Sequence, residues 1–171
     1  MPRITHCTDA DVPERRRPAN ADIFVPENVI CDMLDHASRG SSDNTEVMGL
    51  LAGSVFRDDK GTYATVSKAV TSGLLSDDVS VRFDPSDMRM LFDALDGLDF
   101  NYVIVGWYHS HLGIGCFMSD TDISSHASAF GGSGYAVVID PIREELKIFK
   151  GTADGIAEAS MVVIEDHTQM A

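Results

Sequence analysis

The seven residues Tyr102–Tyr108 (Tyr-Val-Ile-Val-Gly-Trp-Tyr) carry no charge, and the run is long enough for a strand buried on both faces. Such a strand needs a sheet with other layers packed against it. The chain supplies candidates for those layers. Pro26 opens a helix in which Val29, Ile30, Met33, Leu34 and Ala37 form an apolar face, and Gly40 ends it. Asp84-Pro85 gives an N-cap and a first-turn proline to a second helix, with Met88, Leu91, Phe92 and Leu95 as its stripe up to Gly97. A third is expected over Thr121–Phe130, halted by Gly131, Gly132 and Gly134. Strands are expected at Ile23–Val25, at Glu46–Val55 and Tyr63–Val70 as a hairpin, at Tyr135–Ile139 and Leu146–Phe149 across an Asp-Pro turn, and at Met161–Ile164. Strands mixed with three helices make an α/β domain, a sheet with helices packed on it.

A length of 171 residues suits one domain. Residues 1–20 are polar and aperiodic and read as a flexible N-terminal arm, leaving 21–171 as the domain. Hydrophobic residues at 44% exclude wholesale disorder. The net charge of −14 would repel phosphate backbones, so nucleic acid is not an expected partner. No apolar run reaches the roughly 18–20 residues of a membrane span, so no membrane is expected either. Cys7, Cys31 and Cys116 form no metal-site or disulfide pattern, which fits a reducing, cytoplasmic setting.

Chemistry concentrates in Gly106-Trp107-Tyr108-His109-Ser110-His111, followed after seven residues by Ser119-Asp120-Thr121-Asp122. Side chains alternate along an extended backbone, so His109 and His111 project from one face. Asp122, at the start of the next helix, can fold back to add a carboxylate. Two imidazoles and one carboxylate make a three-ligand site with zinc's fourth position open, a catalytic rather than structural arrangement. Each part also has an ordinary reading: an HxH pair is common, and Ser119-x-x-Asp122 matches a helix capping box. His126, one turn past Asp122, reads as a surface residue or a neighbour of the site rather than a fourth ligand. Glu46 heads an otherwise apolar strand, where desolvation can raise its pKa into the range of a proton shuttle.

Taken together, Glu46-Val47-Met48-Gly49-Leu50 and His109-Ser110-His111-x7-Ser119-x2-Asp122 resemble the signature of the JAMM (MPN-plus) metalloproteases. The wider string from Val105 to Ser119 is most similar to the family's deubiquitinating member in the proteasome lid and its deneddylating member in the signalosome. The resemblance runs from about Ile23 to Lys150. It implies a mixed β-sheet flanked by helices, like that of cytidine deaminases. It implies one Zn2+ per chain on His109, His111 and Asp122. Glu46 would take a proton from the attacking water and pass it to the leaving amine, and Ser119 would hydrogen-bond the tetrahedral intermediate's oxygen. Leu112 stands where relatives usually have proline, which leaves that loop less rigid, and Phe117-Met118 replaces a tryptophan and an aliphatic residue. The long second insertion that eukaryotic relatives use to read polyubiquitin linkage is not evident.

The family cleaves after a C-terminal Gly-Gly of ubiquitin or a ubiquitin-like protein joined to a lysine amine. The resemblance therefore implies a zinc isopeptidase with two partners, a β-grasp modifier and its lysine-linked targets, working in a larger assembly or as a homodimer. An extended tail gains affinity as an added strand. Val79, Val81 and Phe83 alternate as such a strand would, in the place of the family's first insertion, although a plain surface loop explains them equally well. Two other readings stand beside this one: trimming a sulfur-carrier precursor to expose Gly-Gly, and a metal-free MPN scaffold subunit. Deamination fails for want of the HxE and PCxxC pattern.

Overall fold

Eight strands and two helices make up the described residues, 12–71 and 102–165, of the computed structural model. In chain order they are β1 (Ile23–Pro26), α1 (Glu27–Ser42), β2 (Met48–Asp58), β3 (Gly61–Thr71), β4 (Val103–Ser110), α2 (Asp120–Phe130), β5 (Tyr135–Asp140), β6 (Glu145–Thr152), β7 (Gly155–Glu158) and β8 (Met161–Ile164). The helix expected over Asp84–Gly97 lies outside the described residues.

One sheet takes all eight strands in the order β7-β6-β5-β4-β2-β3-β1-β8. The two expected hairpins, β2–β3 and β5–β6, are antiparallel. By contrast β4 and β5 are parallel, since α2 carries the chain back between them. Strand β1 lies parallel to both β3 and β8. The sheet is therefore mixed, as expected. Strand β7 was not expected, because Gly-Ile-Ala-Glu carries no run of β-formers; it forms by pairing with β6.

The apolar run Tyr102–Tyr108 becomes most of β4, whose inner residues are buried on both faces. On one face, Val29, Met33 and Ala37 of α1 pack with Val47, Leu51, Tyr108 and Val137. On the other, Leu50, Trp107 and Ala136 gather with Phe130 of α2. Among the buried residues of α1, His36 sits where the sequence pattern named only hydrocarbon, and its Nδ1 lies 2.7 Å from the Tyr108 hydroxyl. Leu34, placed on the apolar face from its spacing, is 39% exposed.

Gly40 does not end α1, which runs on to Ser42. Its role is close approach: a Cβ there would stand 2.4 Å from Val47 Cγ1. The Thr45 amide also donates to the Gly40 carbonyl at 2.9 Å, so the segment leading to β2 is drawn against the end of the helix. Within the expected N-terminal arm, residues 13–17 run beside β2. Arg57 donates its amide to the Pro13 carbonyl and accepts from Arg15 N, while Arg17 Nε and Nη2 grip the Asp58 carboxylate at 2.7 and 2.8 Å.

Candidate metal centre

Strand β4 ends in the site. Its pairing sets Met48 opposite His109, and the Ser110 amide donates to the Val47 carbonyl at 2.9 Å, one residue further along the same register. Val47 N donates in return to Ser110 Oγ at 2.8 Å. The serine between the two histidines thus faces away from them and stitches the incoming strand to β4. Two residues before β2, Glu46 is buried and within electrostatic reach of His111 and Asp122.

Asp122 reaches the same place from α2. Ser119 caps the helix by accepting from Asp122 N at 3.1 Å, and Asp122 Oδ2 accepts from Ser119 N at 2.9 Å, a complete capping box. The same Oδ2 lies 3.1 Å from His109 Nε2 and 3.4 Å from His111 Nε2. The two readings of Ser119-x-x-Asp122 therefore coexist: the carboxylate closes the cap and also faces both imidazoles.

His109, His111 and Asp122 are buried, and one ligand atom from each lies within 4.8 Å of the others. His111 Nδ1 meets the Gly115 carbonyl at 2.8 Å, which must accept, so Nδ1 carries a proton and in the neutral ring Nε2 is the nitrogen free to ligate. His109 Nε2 is 3.1 Å from Asp122 Oδ2 as an ion-pair contact, and neither nitrogen of that ring has a hydrogen-bond partner by geometry among the described residues. Orphaned nitrogens in a buried ring are costly unless something binds them. Two donors of a tetrahedral zinc site stand about 3.3 Å apart, close to the two separations observed here. The donor set therefore fits a borderline divalent ion.

Charge agrees with geometry. Burial opposes ionisation of Asp122, yet the two imidazoles and the Ser119 amide hold its carboxyl far below the usual carboxylate range. Burial lowers the proton affinity of His109, keeping that ring neutral and fit to ligate. Desolvation pushes the Glu46 carboxyl up to about 7, with Asp122 adding to the rise and His111 opposing it. Glu46 is 3% exposed. It is thus a buried acid within the electrostatic reach of the triad.

Of the residues expected from sequence, Glu46, His109, His111, Ser119 and Asp122 are brought to one place. Val79, Val81 and Phe83 lie outside the described residues. His126, read as a surface residue or a neighbour of the site, is 1% exposed, which excludes the first of these. Pattern reasoning also missed Asp140, taken only as part of an Asp-Pro turn. It is fully buried, accepts from the amides of Gly113, Ile142 and Arg143, and takes the Gly115 amide at 2.7 Å. Gly115, at φ +89°, thereby turns its N–H to Asp140 and its carbonyl to His111. The available signal was an Asp at a strand end before proline, a position where its carboxylate commonly gathers backbone amides.

Comparison with known proteins bears on the same residues. The family model described as JAB1/Mov34/MPN/PAD-1 ubiquitin protease matches residues 18–130, which take in all five of these positions. The 26S proteasome non-ATPase regulatory subunit 14 of Drosophila melanogaster is 32% identical over 146 residues, 84% of this chain and 44% of that protein. The ubiquitin carboxyl-terminal hydrolase RPN11 of Saccharomyces cerevisiae is 32% identical over 124 residues, 71% of this chain and 39% of that one. The chain thus spans less than half the length of these relatives. The solution structure of protein DSY2949 from Desulfitobacterium hafniense superposes with a TM-score of 0.64 at 24% identity, covering 87% of this chain and 99% of that one, a likeness of fold. With a family match over this much of its length, the chain belongs to the JAB1/Mov34/MPN/PAD-1 family.

Proposed function

We propose that this chain is a zinc-dependent isopeptidase, hydrolysing the bond between the C-terminal Gly-Gly of a ubiquitin-like modifier and a lysine amine of a target protein. The observation that carries this is the convergence of His109, His111 and Asp122 beside the buried Glu46. Similarity to a ubiquitin carboxyl-terminal hydrolase supports the substrate class. The proteasome-subunit names of relatives favour work within a larger assembly, and a cytoplasmic location accords with such a role.

His109, His111 and Asp122 would hold the ion. Zinc there supplies a Lewis acid for the scissile carbonyl and makes a water acidic near neutral pH. Glu46, with its carboxyl poised at about 7, takes a proton from the attacking water as the oxygen bonds to the carbonyl carbon. It then returns that proton to the lysine nitrogen as the C–N bond breaks. The Ser119 hydroxyl accepts from Asp122 N through its oxygen, so its own O–H stays available to donate to the oxygen of the tetrahedral intermediate.

The test is cleavage of a modifier–lysine conjugate by wild type, Glu46→Gln and His109→Ala. Losses of about 10²–10⁴-fold are expected for the glutamine variant. Wild-type rates in both variants would overturn the assignment. A precursor with residues beyond its Gly-Gly, assayed alongside, separates isopeptide cleavage from precursor trimming, because cleavage of the precursor alone moves the activity to that bond.

A further inference from the structure

The two imidazoles of the triad are oriented by different means. His111 has its Gly115 hydrogen bond; His109 has none among the described residues. What lies flat against His109 is the indole of Trp107, with ring centroids 4.4 Å apart and planes 19° from parallel. Trp107 is itself tied. Its Nε1 donates to His126 Nδ1 at 3.1 Å, and His126 Nε2 meets the Ser133 carbonyl at 2.8 Å. An indole N–H only donates and a carbonyl only accepts, so His126 must be neutral with its proton on Nε2. Burial favours that neutral form. All three rings are essentially closed to solvent, His126 and His109 at 1% and Trp107 at 0% exposure.

We propose that His126 is a positioning residue for the metal centre: by tying the Trp107 indole it fixes the ring of His109, the ligand with no hydrogen bond of its own among the described residues. The proposal rests on reading His109, His111 and Asp122 as metal ligands. An imidazole turns about its Cβ–Cγ bond unless a neighbour stops it, and a turned His109 would carry Nε2 away from Asp122. The stacked indole is that stop only while its own plane is held. Partners that orient a metal-binding histidine are commonly hydrogen-bonded to it; here the restraint acts at one remove, through a stacked ring.

The experiment measures release of Zn2+ from the loaded full chain into excess coloured chelator, together with the visible spectrum of the Co2+-substituted protein. Melting of the metal-free protein reports folding. His126→Phe keeps a ring of similar size but offers the indole no acceptor. His126→Gln keeps one acceptor and one donor. The phenylalanine variant is expected to release Zn2+ roughly 10–100-fold faster and to shift the Co2+ bands, with the glutamine variant close to wild type. Trp107→Phe keeps an aromatic face over His109 while cutting the tie, and the same acceleration is expected even if His126→Phe fails to fold. Wild-type release from the phenylalanine variants, or no rescue by glutamine, overturns the proposal and leaves His126 a packing residue. A wild-type chain that takes up neither ion overturns the triad as a metal site, and the proposal with it.

Discussion

The two helices are held in opposite ways. Helix α1 has 16 residues, no side-chain hydrogen bond at its N-cap Pro26, and a buried face of Val29, Met33, His36, Ala37 and Gly40. Helix α2 has 11 residues and a full capping box, and its buried residues are Asp122 and His126 alone. The longer helix is fixed mainly by hydrocarbon removed from water. The shorter is fixed by polar bonds, and the carboxylate that makes them also faces both imidazoles. Stability and chemistry are therefore separable in α1 and share atoms in α2.

The largest effect expected from this contrast is that of Asp122→Ala. It removes the proposed ligand and the cap together, so metal uptake should be lost and conjugate cleavage should fall roughly 10³-fold or more. A variant that still bound zinc and turned over normally would break the comparison at its centre. Met33→Ala in α1 tests the other side. Met33 is fully buried, so the loss should be about 2–5 kcal/mol by urea denaturation. Turnover per folded molecule should stay unchanged.

Ser119→Ala sharpens the contrast, since the hydroxyl that caps α2 is also the proposed oxyanion donor. It should cost about 0.5–2 kcal/mol as a lost cap and reduce turnover by about 10²–10³-fold through the lost donor. Loss of stability alone would leave Ser119 only a cap. The smallest effect concerns pH. Buried Glu46 stays neutral in the folded chain up to about pH 7 but ionises near pH 4 once unfolded. The stability it lends is full below the unfolded value and is lost as pH rises through about 7. Metal-free Glu46→Gln should therefore melt like wild type near pH 4 and several degrees higher at pH 8. An equal melting temperature at both ends would show that burying the acid costs nothing.

Much of this could be read from the chain because it is written locally. Alternation fixed the shared face of His109 and His111, and Ser119-x-x-Asp122 announced both a cap and a carboxylate. Glu46 stood out as a charge at the edge of an apolar stretch. What escaped depends on partners distant in sequence. Strand β7 exists because β6 offers it an edge, and Gly40 is needed because Val47 returns to meet it. His126 read as a surface residue or a neighbour of the site, and only the indole of Trp107, 19 residues earlier, resting on its Nδ1 decides for the second. Asp140 looked like punctuation, and only the fold brings the Gly113–Gly115 amides to it.

Among the described residues β8 forms one margin of the sheet, with β1, β3 and β2 between it and β4, which carries His109. Four strand spacings amount to about 19 Å. Val163 on that margin is 46% exposed, so a fluorophore or tether attached there would have water around it and three strands between it and the imidazoles. For anyone wishing to immobilise or track this protein while it works, that border is the natural handle.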